Sequence, residues 1–151
     1  MEGISTLLAS ECILLDWKAD SLQKIIKTLT DTLSSVHPTL APPSLMEKVI
    51  DGGFHTTCMG EGCAITHARC PSMDKTLMAV MRLSPAIDLK ALDKTDVGLI
   101  FLLVGPQSSA SFHLKILSRL ARLLHQKKLR EQLFSAPTSE AFLQLIIDKE
   151  Q

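Results

Sequence analysis

Apolar residues recur at helical spacing near the start of the chain, run together in the middle, and return to helical spacing towards the end. Leu22, Ile25, Ile26, Leu29, Leu33 and Val36 form the stripe of an amphipathic helix. Asp20 stands before it with Gln23 three residues on, which predicts a capping box at that position. His37-Pro38 closes the segment, because the residue before a proline avoids helical backbone. Ser44 and Glu47 repeat the capping pattern ahead of LMEKVI, and Gly52-Gly53 supplies a stop. Upstream, Ile13-Leu14-Leu15 within residues 4–15 predicts a strand or strand edge.

The period then changes. CAIT (63–66), TLMAVMRL (76–83) and VGLIFLLV (97–104) predict strands, the last apolar on both faces and so central. Beyond Pro106, Leu114, Leu117, Leu120, Ala121 and Leu124 predict a long amphipathic helix capped by Ser109 or Ser111. A short helix through Leu129 and Leu133 follows, and a last one starts at Thr138 and buries Phe142, Leu145 and Ile146. No repeat or low-complexity segment interrupts this order. Helices, then strands, then helices predict one layered α/β domain over residues 1–151, with helices on both faces of a sheet.

Composition narrows the function. A chain of 151 residues buries roughly 68–70% of its unfolded surface, enough for one core. Sixteen basic residues balance sixteen acidic ones, which gives no general attraction to nucleic acid. Aromatic residues make up only 4% with no tyrosine, against a base-stacking surface. Glu2 and Glu11 flank an N-terminal stretch with no basic region, unlike a signal peptide. The run 97–104 is far shorter than the ~20 residues that span a bilayer. These features predict a cytoplasmic protein with no nucleic-acid partner and no membrane insertion. Cys12, Cys58, Cys63 and Cys70 are then expected to be reduced.

Candidate chemistry concentrates in MGEGCAITHARC (59–70). His67 carries an imidazole, which at neutral pH can form a covalent phosphoryl or acyl intermediate. Gly60 and Gly62 would let backbone N–H groups approach an anion, since glycine has no Cβ in the way. Arg69 shares the strand parity of His67 and could neutralise a transferred phosphate. His113 falls in the first turn of the predicted long helix, where free N–H groups favour anions. The plainer alternative is that His67 ends a strand and His113 merely belongs to a helix turn. A third reading is metal ligation, because His55, Cys58, Cys63, His67 and Cys70 crowd into sixteen positions. C-x4-C-x6-C lacks the paired C-x2-C spacing of structural zinc sites, so neither a metal nor any other cofactor is expected.

Thr57-Cys-Met-Gly-Glu-Gly-Cys-Ala-Ile-Thr-His67 resembles the S-T-G-I-G-x-G-I-A-I-P-H signature of enzyme IIA domains of the phosphoenolpyruvate-dependent sugar phosphotransferase system. The likeness is to the fructose/mannitol class, and within it to the nitrogen-regulatory branch. DVGLIFLLVGPQSSASFHLKILSRLARLL (96–124) resembles that family's strand, proline, loop and H-L-x-x-L helix, and KLREQLFSAPTSEAFLQLI resembles the branch's C-terminal segment. The resemblance implies a three-layer α/β/α sandwich around a mixed sheet. It implies that His67 accepts a phosphoryl group from the phosphohistidine of a small carrier protein, with His113 beside it on the phosphate. Thr57, Gly60, Gly62 and Arg69 would surround the group. The implied partners are the histidine phosphocarrier protein and either regulatory targets or a separate IIB component.

Two positions depart from the pattern. Thr66 stands where the family has proline, and Asp51 where it commonly has arginine. An acid in place of a base would repel phosphate if it faced the site. Both histidines favour a phosphorylatable regulator, whereas Asp51 and Thr66 favour a binding module that keeps the fold without the transfer.

Overall fold

The computed structural model describes residues 3–151. Its elements run α1 (Ile4–Leu7), β1 (Leu8–Trp17), α2 (Leu22–Val36), α3 (Leu45–Gly52), β2 (His55–Gly60), β3 (Cys63–Arg69), β4 (Leu77–Ile87), β5 (Val97–Gly105), α4 (Ala110–Leu124), α5 (Lys127–Ser135) and α6 (Ser139–Glu150). The five strands form one mixed sheet in the order β1-β4-β5-β3-β2. β1 pairs parallel with β4 and β3 parallel with β5, while β4/β5 and β2/β3 are antiparallel. β5 is the central strand and every residue in it is buried, as its continuous apolar run predicts.

Register fixes which residues share a face. Ile65 lies opposite Phe101 and His67 opposite Leu103, so these four side chains point to one side. Phe101 meets Phe142 of α6 there, with ring centroids 6.3 Å apart, and His67 meets His113 of α4. α2 and α3 pack on each other and on β1, β4 and β3, covering the other side. The result is a three-layer α/β/α sandwich with one continuous apolar core.

One buried cation ties the layers together. Arg82 of β4 donates from Nε and Nη2 to the Asp16 carboxylate at 3.0 and 3.1 Å, and from Nη1 to the Leu133 and Ala136 carbonyls, both at 2.9 Å. The last two are C-terminal carbonyls of α5, which the helix itself cannot satisfy.

Several details differ from the pattern-based expectations. Ser21, not Asp20, caps α2 and accepts from the Lys24 N–H; Asp20 pairs with the Lys24 ammonium instead. Ser44 does stand at the N-cap of α3, but its side chain makes no capping bond. In α4 the buried stripe is His113, Ile116, Leu120, Leu123 and Leu124. Leu120 and Leu124 of the predicted stripe are buried and Leu117 and Ala121 half-buried, but Leu114 is 65% exposed and the preceding His113 faces the core instead. Leu145 of α6 is only half-buried. β2 has no counterpart among the predicted elements; it lies between the Gly52-Gly53 stop and the G-E-G turn.

Candidate functional site

The site assembles at the C-terminal ends of two neighbouring parallel strands. β3 carries His67 as the fifth of its seven residues, so the histidine sits within a paired strand rather than at its end. The chain leaves β5 at Gly105, turns through Pro106 and a short 3-10 segment (Gln107–Ser109), and enters α4 with Ser109 as N-cap. This turn brings the start of α4 over β3 and places His113 Nε2 3.3 Å from His67 Nδ1. Residues 46 positions apart thus form one hydrogen-bonded imidazole pair, with ring centroids 5.3 Å apart.

The two nitrogens of each ring have different surroundings. His113 is 4% exposed, and its Nδ1 is buried with no hydrogen-bond partner among the described residues. His67 is half-buried: Nδ1 is engaged by His113, and among the described residues no hydrogen bond engages its Nε2. Burial is the largest cause that lowers both pKa values, since it penalises the charged ring. For His67 the positive charges of His55 and Arg69 act in the same direction. His113 falls to about 4, with contributions from His67 and Arg69 after that of burial. Both rings are therefore neutral at pH 7, and a neutral His67 retains one ring nitrogen with a free lone pair.

Thr57 and His67 share a cavity of about 220 Å³ with Met59 and Ile65 of the β2/β3 hairpin and Leu117, Ser118 and Ala121 of α4. Thr57 is exposed at its rim, on the same face as His67. Arg69, two residues beyond His67 on that face, is exposed and reaches both imidazoles through its charge rather than by contact.

Gly60 and Gly62 are not brought to the site. They flank the turn at the opposite end of the hairpin, and five residues of strand at ~3.3 Å each put Gly62 about 16 Å from His67. Both have positive φ, 84°, so the glycines serve the tight turn. The intervening Glu61 N–H donates to the Asp93 carboxylate at 2.9 Å, so an anion already occupies that amide and it is a protein side chain. The expected phosphate-binding role of the two glycines therefore lacks a geometric basis.

Of the two departures, Thr66 faces away from His67. Thr66 is fully buried on the α2/α3 side, its hydroxyl 2.8 Å from that of Thr56. Asp51 is exposed in the last turn of α3, a helix of that same layer, and the side chains whose charge acts on His67 are His55 and Arg69. Of the cysteines, Cys12, Cys63 and Cys70 are buried and Cys58 half-buried, all unpaired. Among the described residues no three His, Cys, Asp or Glu side chains are placed to hold a metal.

Sequence reasoning passed over one residue at the site. His55 lies directly across from His67 in the β2/β3 ladder, with ring centroids 5.6 Å apart and planes at 35°. The sequence offered His55 only as a possible metal ligand among the cysteines; its place beside His67 rests on the β-prone HTTCM stretch, which puts His55 and Thr57 two residues apart on one face.

Comparison with known proteins identifies the family and the fold. Residues 6–149 match the model of the phosphoenolpyruvate-dependent sugar phosphotransferase system, EIIA 2 family. A nitrogen regulatory protein of Bradyrhizobium diazoefficiens is 30% identical over 146 residues, covering 95% of this chain and 94% of the relative. One from Pseudomonas aeruginosa is 29% identical over 129 residues, covering 85% and 84%. Among solved structures, nitrogen regulatory protein IIA-Ntr of Neisseria meningitidis superposes with a TM-score of 0.82 at 27% identity, over 95% of this chain and 98% of that one. IIA mannitol of Escherichia coli shares the fold, with a TM-score of 0.73 at 17% identity, over 91% and 97%. Among the described residues no helix is long and apolar enough to cross a membrane. With a family match along nearly its whole length, the chain belongs to the EIIA 2 family of the phosphoenolpyruvate-dependent sugar phosphotransferase system.

Proposed function

We propose that this protein is a cytoplasmic, nitrogen-type regulatory EIIA that accepts a phosphoryl group on His67 Nε2 from the phosphohistidine of a histidine phosphocarrier protein. The observation that carries the reading is the imidazole pair itself. If the Nδ1–H of His67 donates to His113 Nε2, the His67 lone pair lies on Nε2, the nitrogen that no described residue hydrogen-bonds. That lone pair forms the new N–P bond as the carrier's N–P bond breaks, the carrier ring regains its lone pair, and the Nδ1 proton of His67 stays where it is. Phosphoryl transfer of this kind needs positioning and charge stabilisation more than proton chemistry. Burial, which lowers the His67 pKa below its ordinary value, helps keep the ring neutral and the nucleophile available.

His113 is here a positioning residue, selecting the productive His67 tautomer rather than touching the phosphate. Thr57 at the rim supplies a hydroxyl donor, and Arg69 a positive charge within electrostatic reach. Partner choice, whether regulatory targets or a separate IIB component, would then follow the phosphorylation state of His67.

Incubation with phosphoenolpyruvate, enzyme I and the carrier tests this. The expected product is one acid-labile, base-stable phosphate per chain, absent in His67→Ala. His113→Ala should slow acceptance by about 10–100-fold, by analogy with groups that orient metal-bound imidazoles, and His113→Gln, which keeps an acceptor oxygen, should recover part of the loss. A wild-type chain left unlabelled by an active carrier would overturn the proposal in favour of a binding module without transfer.

A further inference from the structure

We propose that His55, on the strand beside His67, supplies a titratable positive charge to the phosphoryl group that His67 carries; this rests on the reading of His67 given above. Three observations support it. His55 is the register partner of His67, so the two side chains rise from the same face of adjacent strands. At 5.6 Å between ring centroids, a phosphoryl group on the outer edge of His67 stands within reach of a His55 N–H. His55 is also exposed, open to a phosphoryl group arriving from solvent, whereas His113 is buried.

The surrounding charges make the case stronger. From β3, His67 and Arg69 face His55; from α4, His113 lies beyond His67. Among the described ion pairs and hydrogen bonds, no carboxylate is joined to His55, His67, Arg69 or His113. The acid nearest to His55 in sequence on the preceding element is Asp51 of α3, and its charge is not among those acting on His67. Arg69 and a protonated His55 thus stand beside a neutral imidazole pair with no carboxylate joined to them among the described ion pairs and hydrogen bonds, and a phosphoryl dianion would supply the counter-charge. A charged His55 also disfavours protonation of His67, so one group both preserves the nucleophile and attracts what it receives. Imidazole changes charge between about pH 5 and 8, which makes the contribution dependent on pH.

The test is single-turnover acceptance from the phosphorylated carrier at pH 6, 7 and 8 for wild type, His55→Gln, His55→Phe and His55→Arg. Phe keeps a ring beside His67, Gln keeps a donor, and Arg keeps the charge at every pH. The expected wild-type to His55→Gln rate ratio is about three- to fivefold at pH 6, the scale of one exposed charge pair, falling towards one at pH 8. His55→Arg should exceed His55→Gln by a ratio that does not change with pH. Normal acceptance with a pH-independent wild-type to His55→Gln ratio, or a His55→Phe protein equal to wild type throughout, would overturn the role of His55 alone. A wild type that accepts nothing would overturn the reading of His67 itself.

Discussion

Acid should loosen this fold through His113 before it reaches any carboxylate, and the effect can be separated by one substitution. The His113 pKa falls from 6.5 to about 4 on folding, chiefly because the ring is buried. Below pH 6.5 the unfolded chain takes up a proton that the folded chain refuses, so stability drops as pH falls and the loss is complete only below about pH 4. Between pH 6.5 and 4.5 those two values give a loss of at most about 2 kcal/mol. In a domain of this size that corresponds to about 4–8 °C in Tm. His67, also lowered, acts with the same sign. Asp16, Asp88 and Asp93 have pKa values lowered below 3.8, so what they contribute is kept above that pH and lost only under stronger acid. His113→Gln cannot titrate, and every other histidine is common to both proteins. Thermal unfolding followed by circular dichroism at pH 7.0, 6.5, 5.5 and 4.5 should therefore give a shallower acid limb for His113→Gln, by up to the stated 4–8 °C. Parallel limbs for variant and wild type over this range would refute the argument that a buried neutral imidazole anchors the site.

Removing the observed cap with Ser21→Ala should cost about 1 kcal/mol, whereas Asp20→Ala, which breaks an exposed pair, should cost well under that; thermal midpoints distinguish the two. Arg82→Met leaves the Leu133 and Ala136 carbonyls without their donor, and a loss of about 2–4 kcal/mol is expected in urea unfolding. Under reducing conditions the protein should contain no stoichiometric zinc, and a thiol assay should count four cysteines after unfolding. In the native state the buried Cys12, Cys63 and Cys70 should be slow and the half-buried Cys58 fastest, with burial pushing the Cys12 and Cys63 pKa values up to about 11 as well.

Much of the frame could be read from the chain because its signals are local. The β5 run is apolar at every position, and such a strand has only the centre of a sheet to occupy. His37-Pro38, Gly52-Gly53 and Thr138 end or begin helices where their backbone chemistry predicts. What escaped depends on pairing across distance. β2 is six residues long with half-exposed side chains, and only its ladder with β3 identifies it as a strand. With β2 unread, His55 had no neighbour, and the glycine turn seemed adjacent to His67 when a full strand separates them. The Leu114 error has another cause. Consecutive leucines in α4 allow more than one stripe, and the choice is made by His113, a polar residue that packs inward.

That inward histidine also bears on the two departures from the family pattern. Successive residues of a strand face opposite sides, so the residue before His67 cannot share its surroundings. Thr66 points into the α2/α3 layer, where its hydroxyl meets that of Thr56 in an otherwise apolar region. The threonine therefore strengthens the tie between β2 and β3, the same pair of strands that holds His55 against His67. Thr66→Val removes the hydroxyl with little change of shape and should cost about 1 kcal/mol of stability. Phosphoryl acceptance should stay close to wild type, because nothing on the His67 face changes. A large loss of acceptance with stability intact would mean that Thr66 acts on the reacting face, against its observed orientation.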